Sequence, residues 1–155
     1  MREPLSYDIA RTAAEAALEA ARAEGLRVSA AVVNRSGITK VVLTDDGVGP
    51  IGVETARRKA YTAAVTGVPT AEFAALAASP AMAAAPAHLT DPQLLPVIGG
   101  LPITVEDGEV IGAIGVGGAD GDSDERCAAR ALEAVAHLTA RPDPVRNRLP
   151  EKNTP

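Results

Sequence analysis

The chain has 155 residues and a formal net charge of −5, and 46% of its residues are hydrophobic but only 2% are aromatic. This length suits one domain with one hydrophobic core, which we expect over residues 1–140. The acidic balance disfavours nucleic acids and anionic membranes, because lysine and arginine must neutralise their phosphates, and few aromatic side chains are available for base stacking.

The cysteine content and the N-terminal segment bear on the compartment. The single cysteine, Cys127, cannot form a disulfide within the chain, which agrees with a reducing compartment. Charged residues interrupt the N-terminal segment, so it does not resemble a secretory signal, and no apolar run approaches the roughly 20 residues that span a bilayer. We therefore expect a cytoplasmic protein that contacts neither membrane nor nucleic acid.

The N-terminal part of the chain predicts a helix followed by a hairpin. Polar residues recur every three or four positions over Tyr7–Glu24, which indicates a helix that begins after Ser6. Two apolar segments, Val28–Asn34 and Ile38–Thr44, flank a turn at residues 35–37. This arrangement is typical of a β-hairpin.

The middle of the chain predicts two helices and a long loop. The helices are expected over Ile51–Thr66, ended by Gly67, and over Ala71–Ala78. The stretch Ser79–Pro102 contains five prolines, which resist regular helix. It is also apolar, and a long apolar loop in a compact domain usually packs over something or lines a site.

The C-terminal part predicts a second hairpin, a helix and a tail. Strands are expected over Ile103–Val105 and Val110–Val116, joined by an Asp-Gly turn. A last helix is expected over Ser123–Leu138 with Asp122 as its N-cap, and residues 141–155 are expected to form a disordered tail. Short connections between successive strands give antiparallel pairs, so the predicted fold class is α+β rather than a doubly wound sheet.

The glycine-rich segment Gly112–Gly118 allows two interpretations. A glycine loop that leads into a helix N-terminus can bind an anion. However, most of these glycines lie within a predicted hairpin strand and not in a βαβ unit, where the dinucleotide fingerprint occurs. The alternative is that glycines in the strand allow close approach of a helix or a neighbouring subunit.

Two histidines and one lysine are candidates for chemistry. His88 lies in the apolar, proline-rich stretch and could bind a metal or haem iron or act as a general base, or it could be an ordinary loop residue. His137 suits the negative end of the last helix and is expected to be structural. Lys59 lies among four alanines, so it could be partly buried and face the carboxylate of Asp124, or it could be a solvated lysine.

The neighbours of Lys59 have a simpler interpretation. Glu54 precedes Arg57 and Arg58 by three and four residues, a spacing that suits ion pairs on the surface of a helix. Asp124 itself is most simply a cap or a partner of the helix dipole.

Several segments together resemble the GlcG/HbpS-like family, which includes the C-terminal domain of PduO-type proteins. The matching segments stand in family order and read AAVVNRSG, ETARRKAYTAA, GGLPITVEDGEVIGAIGVGG and DSDERCA. The resemblance implies a profilin-like fold, with a central antiparallel sheet and helices packed on both faces. It also implies a homo-oligomer with ligand sites near subunit contacts, and some relatives bind haem.

The resemblance also suggests site residues and shows two departures. Asn34 stands where the family commonly has aspartate, and Gly117 stands where it usually has serine. The positions that the motifs carry over are Asn34, Lys59, Tyr61, Gly99, Gly100 and Asp124.

The residues and the resemblance leave three functions open. The first is a ligand-binding protein that holds haem, or another planar or small organic molecule, near a subunit interface. Its apolar wall would come from Ser79–Pro102, with His88 as the metal ligand. The remaining binding candidates are Asn34, Tyr61, Gly99 and Gly100.

The second function is a cofactor-free enzyme of the isomerase, dehydratase or cyclase type, acting on a small organic substrate in a catabolic or secondary-metabolic pathway. Lys59 and Asp124 would form its polar pair, and His88 would be its acid or base. The third function is an accessory oligomeric subunit with no site of its own. We further expect Lys59 and His88 to face one shared pocket.

Overall fold

Most of the observed helices and strands are those that caps, turns and residue periodicity predict. The computed structural model describes residues 4–140, so the expected disordered tail lies outside the described residues. The helices are α1 (Tyr7–Ala23), α2 (Pro50–Thr66), α3 (Thr70–Ala77), α4 (Pro80–Ala83) and α5 (Gly121–Thr139), with a 3-10 turn over Ala87–Leu89. The strands are β1 (Ser29–Asn34), β2 (Thr39–Thr44), β3 (Gly100–Thr104) and β4 (Val110–Gly117).

The four strands form one antiparallel sheet in the order β2-β1-β4-β3. Each hairpin is local, and the two hairpins meet where β1 pairs with β4, with Ser29 opposite Gly117 and Asn34 opposite Gly112. The predicted α+β class with antiparallel strands is therefore confirmed.

Helices cover both faces of this sheet, as predicted. Alternate residues of a strand point to opposite faces. Val32, Ile114 and Val116 pack into a core with α1 and α5. Their neighbours Ala31 and Ala113 face α2 in a second, smaller core.

The second core is built almost entirely from small residues, and α2 lies very close to β4. A Cβ atom added at Gly115 would collide with the backbone of Ala56 and Ala60, and one at Gly117 would collide with the backbone of Gly52. Glycine is therefore required in the strand for the helix to approach, which confirms this interpretation for Gly115 and Gly117.

The prediction for Ser79–Pro102 was wrong in two places. Ser79 accepts a hydrogen bond from the amide of Met82, and Pro80 occupies the first position of the short helix α4. Proline is tolerated there because the first-turn amide has no partner within the helix. Pro102 lies inside β3 opposite Ala113, where it is accepted because β3 is an edge strand.

The N-cap of the last helix also differs from the prediction. Asp120, not Asp122, accepts the hydrogen bond from the amide of Ser123 at 2.9 Å. The helix therefore begins at Gly121, two residues before the expected start. Asp124 remains in its first turn, as predicted.

We expect Gly115→Ala to destabilise the fold by about 1–3 kcal/mol or more, because the added methyl group meets helix backbone that cannot rotate away. Denaturant unfolding monitored by circular dichroism measures this change. Thr104→Ala, at an exposed position of β3, is the control and should stay within about 0.5 kcal/mol of the wild type. Equal stability of the two variants would contradict the role assigned to Gly115.

Candidate functional site

A buried ion pair joins α2 to α5. The Lys59 ammonium lies 2.8 Å from Oδ2 of Asp124, and their side chains are only 4% and 1% exposed. Lys59 also donates to the carbonyl of Val116 at 2.9 Å, and Oδ1 of Asp124 accepts from the amide of Ala119 at 3.1 Å. The structure thus brings together the lysine and the carboxylate that the sequence suggested as partners.

Two consecutive glycines make room for this pair. Gly99 has a φ of +132°, and a Cβ atom there would lie 2.8 Å from Nζ of Lys59 and 3.0 Å from Cβ of Asp124. A Cβ atom at Gly100 would lie 2.5 Å from the carbonyl oxygen of Lys59. Gly99 and Gly100 therefore border the pair and fix its position by their lack of side chains.

The environment alters the acidity of the carboxylate. Burial raises the pKa of Asp124 above its ordinary value, although the hydrogen bond and charge of Lys59 act in the opposite direction. Burial thus makes the proton affinity of the Asp124 carboxyl higher than that of a solvated aspartate.

An open groove of about 710 Å³ lies beside the pair. One wall is the start of α2, with Gly49, Ile51 and Gly52, and another is the loop between β4 and α5, with Gly118 and Ala119. This volume is in the range of small-molecule sites in proteins. The glycine loop before α5 therefore borders a groove, and the buried ion pair lines it.

Asn34 lies in the turn of the first hairpin. Its Oδ1 accepts hydrogen bonds from the amides of Ser36 and Ile38, both at 3.0 Å. In this structure Asn34 stabilises the turn between β1 and β2, a role that asparagine side chains often take.

Tyr61 and His88 lie apart from the groove. The Tyr61 hydroxyl donates to Asp91 at 2.5 Å, which raises the pKa of Tyr61 and lowers the pKa of Asp91. Arg57 donates to Gln93 as well, so the segment of residues 88–93 is hydrogen-bonded to α2. His88, on the exposed 3-10 turn just before Asp91, is not among the residues that line the groove.

Within one chain, Lys59 lines the groove and His88 does not, so the expected shared pocket would need a second copy of the chain and stays a prediction. The reason is the attachment of the segment at Asp91 and Gln93, which no local pattern predicts. Asp91 was missed altogether. Gly49 and Gly52, close together in sequence, could have indicated the groove wall.

The described residues contain neither an assembled metal site nor a membrane span. No group of three or more histidine, cysteine, aspartate or glutamate side chains within residues 4–140 is arranged to hold a metal ion. In the same part of the chain, no helix has both the length and the apolar character needed to cross a bilayer.

We expect Lys59→Met to destabilise the protein by about 3–5 kcal/mol, because it leaves the Asp124 carboxylate buried without its partner. Asp124→Asn should also destabilise, since it leaves the ammonium unpaired. The double variant should lose about 2 kcal/mol less stability than the sum of the two single losses. Denaturant unfolding of the wild type and the three variants measures this difference. Additive losses would show that the two charges do not depend on each other.

Comparisons with known proteins agree with this fold. The family model "Haem degrading protein HbpS-like" matches residues 5–133. A double mutant of Streptomyces reticuli HbpS, known from a crystal structure, shares 41% sequence identity with this chain. The two structures superpose with a TM-score of 0.76, and the match covers 84% of this chain and 86% of that chain. Comparison with curated proteins gives no match.

Two further solved structures are similar. Protein ORFY of Klebsiella pneumoniae is 27% identical with a TM-score of 0.76, covering 84% of this chain and 89% of that one. A PduOC–haem complex is 24% identical with the same TM-score, covering 84% and 94% of the two chains, which shows a shared fold. Because the family model spans most of its length, this chain belongs to the HbpS-like family.

Proposed function

We propose that this protein binds haem, with His88 as the ligand to the iron. Membership of a family whose model is described as haem-degrading supports haem as the ligand. The observation that carries the proposal is an exposed imidazole on an apolar surface segment. Histidine is a common axial ligand of haem iron in proteins.

Exposed aliphatic side chains in this part of the chain suit a haem group. Leu89, next to His88, is 75% exposed, and Leu76, on helix α3 twelve residues before His88, is 56% exposed. Such aliphatic side chains can contact the macrocycle, which compensates for the scarcity of aromatic residues. Bound haem would supply a redox-active iron, while the protein would supply the imidazole and the apolar contacts.

Arginines near the same segment could hold the haem propionates. Arg57 donates to Gln93 and Arg58 donates to the carbonyl of Pro92, only four residues from His88, a span of at most about 14 Å. Both also donate to Glu54, which balances one of the two positive charges, and the carboxylate of Asp91 lies in the same segment, bonded to Tyr61. Carboxylates bind arginine well in such positions.

A single chain leaves this surface open to solvent. We therefore propose that the protein is a homo-oligomer and that the haem lies near a subunit contact, where a second copy excludes water from the macrocycle. Exposed Leu76 and Leu89 would gain most from that coverage.

We expect the purified protein to give a Soret band when titrated with haemin, and His88→Ala to lose or shift it with a large drop in affinity. His137→Ala, which changes the other histidine, is the matched control and should bind as the wild type does. An unchanged spectrum and affinity for His88→Ala would reject His88 as the ligand.

The same sample tests the assembly. Light scattering should return a multiple of the 15.7 kDa chain mass, because the exposed apolar surface favours association. A monomer mass at micromolar concentration would refute the homo-oligomer.

The buried ion pair favours a second candidate function, proton transfer on a small organic substrate without a cofactor. Lys59 and Asp124 border a groove of suitable size, and burial raises the pKa of Asp124. His88 would not take part within one chain. An accessory subunit with no site would bind neither haemin nor any ligand of the groove.

A further inference from the structure

The groove beside Lys59 and Asp124 has the chemistry of an anion site, and it is separate from the surface around His88. We propose that this groove binds the carboxylate of a small organic anion with a short aliphatic body. The inference does not depend on haem binding.

The first donor is Lys59. Its ammonium has three N–H bonds, and the hydrogen bonds in the structure to Asp124 and Val116 use two of them. Lys59 is almost fully buried and also lines the groove, so we assign its third N–H to a ligand there. An ammonium in such a position favours a negatively charged oxygen.

The second set of donors is the start of α2. Its N-cap is Gly49, and among the described residues no side chain caps this 17-residue helix. Its first turn contains no acidic residue. The amides of Ile51 and Gly52 have no acceptor within the helix, and both residues line the groove. The positive end of the helix dipole therefore faces this space with no cap and no acidic residue in its own first turn.

The start of α5 differs, although it borders the same groove. Asp120 caps it, and Asp122 and Asp124 lie in its first turn. The Asp120 carboxylate thus already accepts from a first-turn amide of α5, where an anion would otherwise bind. The contrast directs a ligand anion to α2 and not to α5.

The remaining lining residues define the rest of the ligand. The lining contains two cations, Arg27 and Lys59, and two carboxylates, Asp46 and Asp124, so its side-chain charges cancel. The uncapped start of α2 is then the remaining positive feature, which suits a ligand with a single negative charge. Val48, Val97 and Ile51 add aliphatic surface, and Ile51 is 79% exposed. A charged carboxylate with a short apolar body matches both parts.

The rim of the groove is held in place. Arg22 donates to both carboxylate oxygens of Asp45, at 2.7 and 2.8 Å, and this guanidinium holds the pKa of Asp45 well below its usual range. Asp45 directly precedes the rim residues Asp46 and Val48. The groove is therefore bordered by a loop that is fixed to α1.

The test is a titration of ¹⁵N-labelled full-length protein with sodium butyrate, followed by amide chemical shifts at constant ionic strength. We expect saturable shifts at Ile51, Gly52 and Ala119. Sodium phosphate is titrated in parallel, and tighter binding of phosphate than of butyrate would overturn the carboxylate assignment. No saturable shift at these amides would overturn the site itself.

Gly49→Asp separates binding from folding. A Cβ atom at Gly49 meets nothing within 4 Å, and the residue is extended with a φ of −79°, so aspartate fits there. Its carboxylate would accept from the first-turn amides of α2, as N-cap aspartates do. We expect an equal or higher Tm together with an affinity for butyrate about tenfold lower.

Gly49→Ala is the matched control, since it adds a side chain without an acceptor and should bind butyrate as the wild type does. Unchanged butyrate affinity in Gly49→Asp would overturn the role of the α2 amides. His88→Ala should bind butyrate normally, so failure of the haem proposal and failure of this one give different results.

Discussion

The ammonium of Lys59 holds three elements together, because it belongs to α2 and bonds to the Asp124 side chain of α5 and the Val116 carbonyl of β4. Burying two charges costs desolvation energy that their attraction recovers only when the geometry is good and the remaining polar atoms are bonded. Both oxygens of Asp124 are bonded here, and Gly99 leaves the space that the ammonium needs. The position of the groove follows from this arrangement, since its walls are the starts of α2 and α5.

Helix α2 is common to both proposed binding regions. Its inner side carries Lys59 to the groove, while Arg57 and Tyr61 fasten the segment that contains His88. A rigid helix packed closely against the sheet can therefore position two separate surfaces. This arrangement explains how one small domain could hold a large planar ligand on its exterior and a small anion in a groove.

Most of the fold could be predicted from the sequence, because hairpin turns, helix periodicity and the family motifs are local signals. The errors came where two local signals compete, as at Asp120 and Asp122, or where an edge strand tolerates Pro102. The pairing of Lys59 with Asp124 was suggested by alanines around a lysine. The location of His88 could not be predicted, because it depends on the contact of Tyr61 with Asp91, 30 residues apart.

The backbone contact at Gly115 and Gly117 has a consequence for how this fold can diversify. A larger residue at either position would force the helix to move, so we expect selection to remove substitutions at this contact. The loop that leads into α2 is less restricted, since a Cβ atom at Gly49 would meet nothing within 4 Å. New ligand preferences within this architecture should therefore arise by mutation of this loop, while the helix–sheet spacing stays constant.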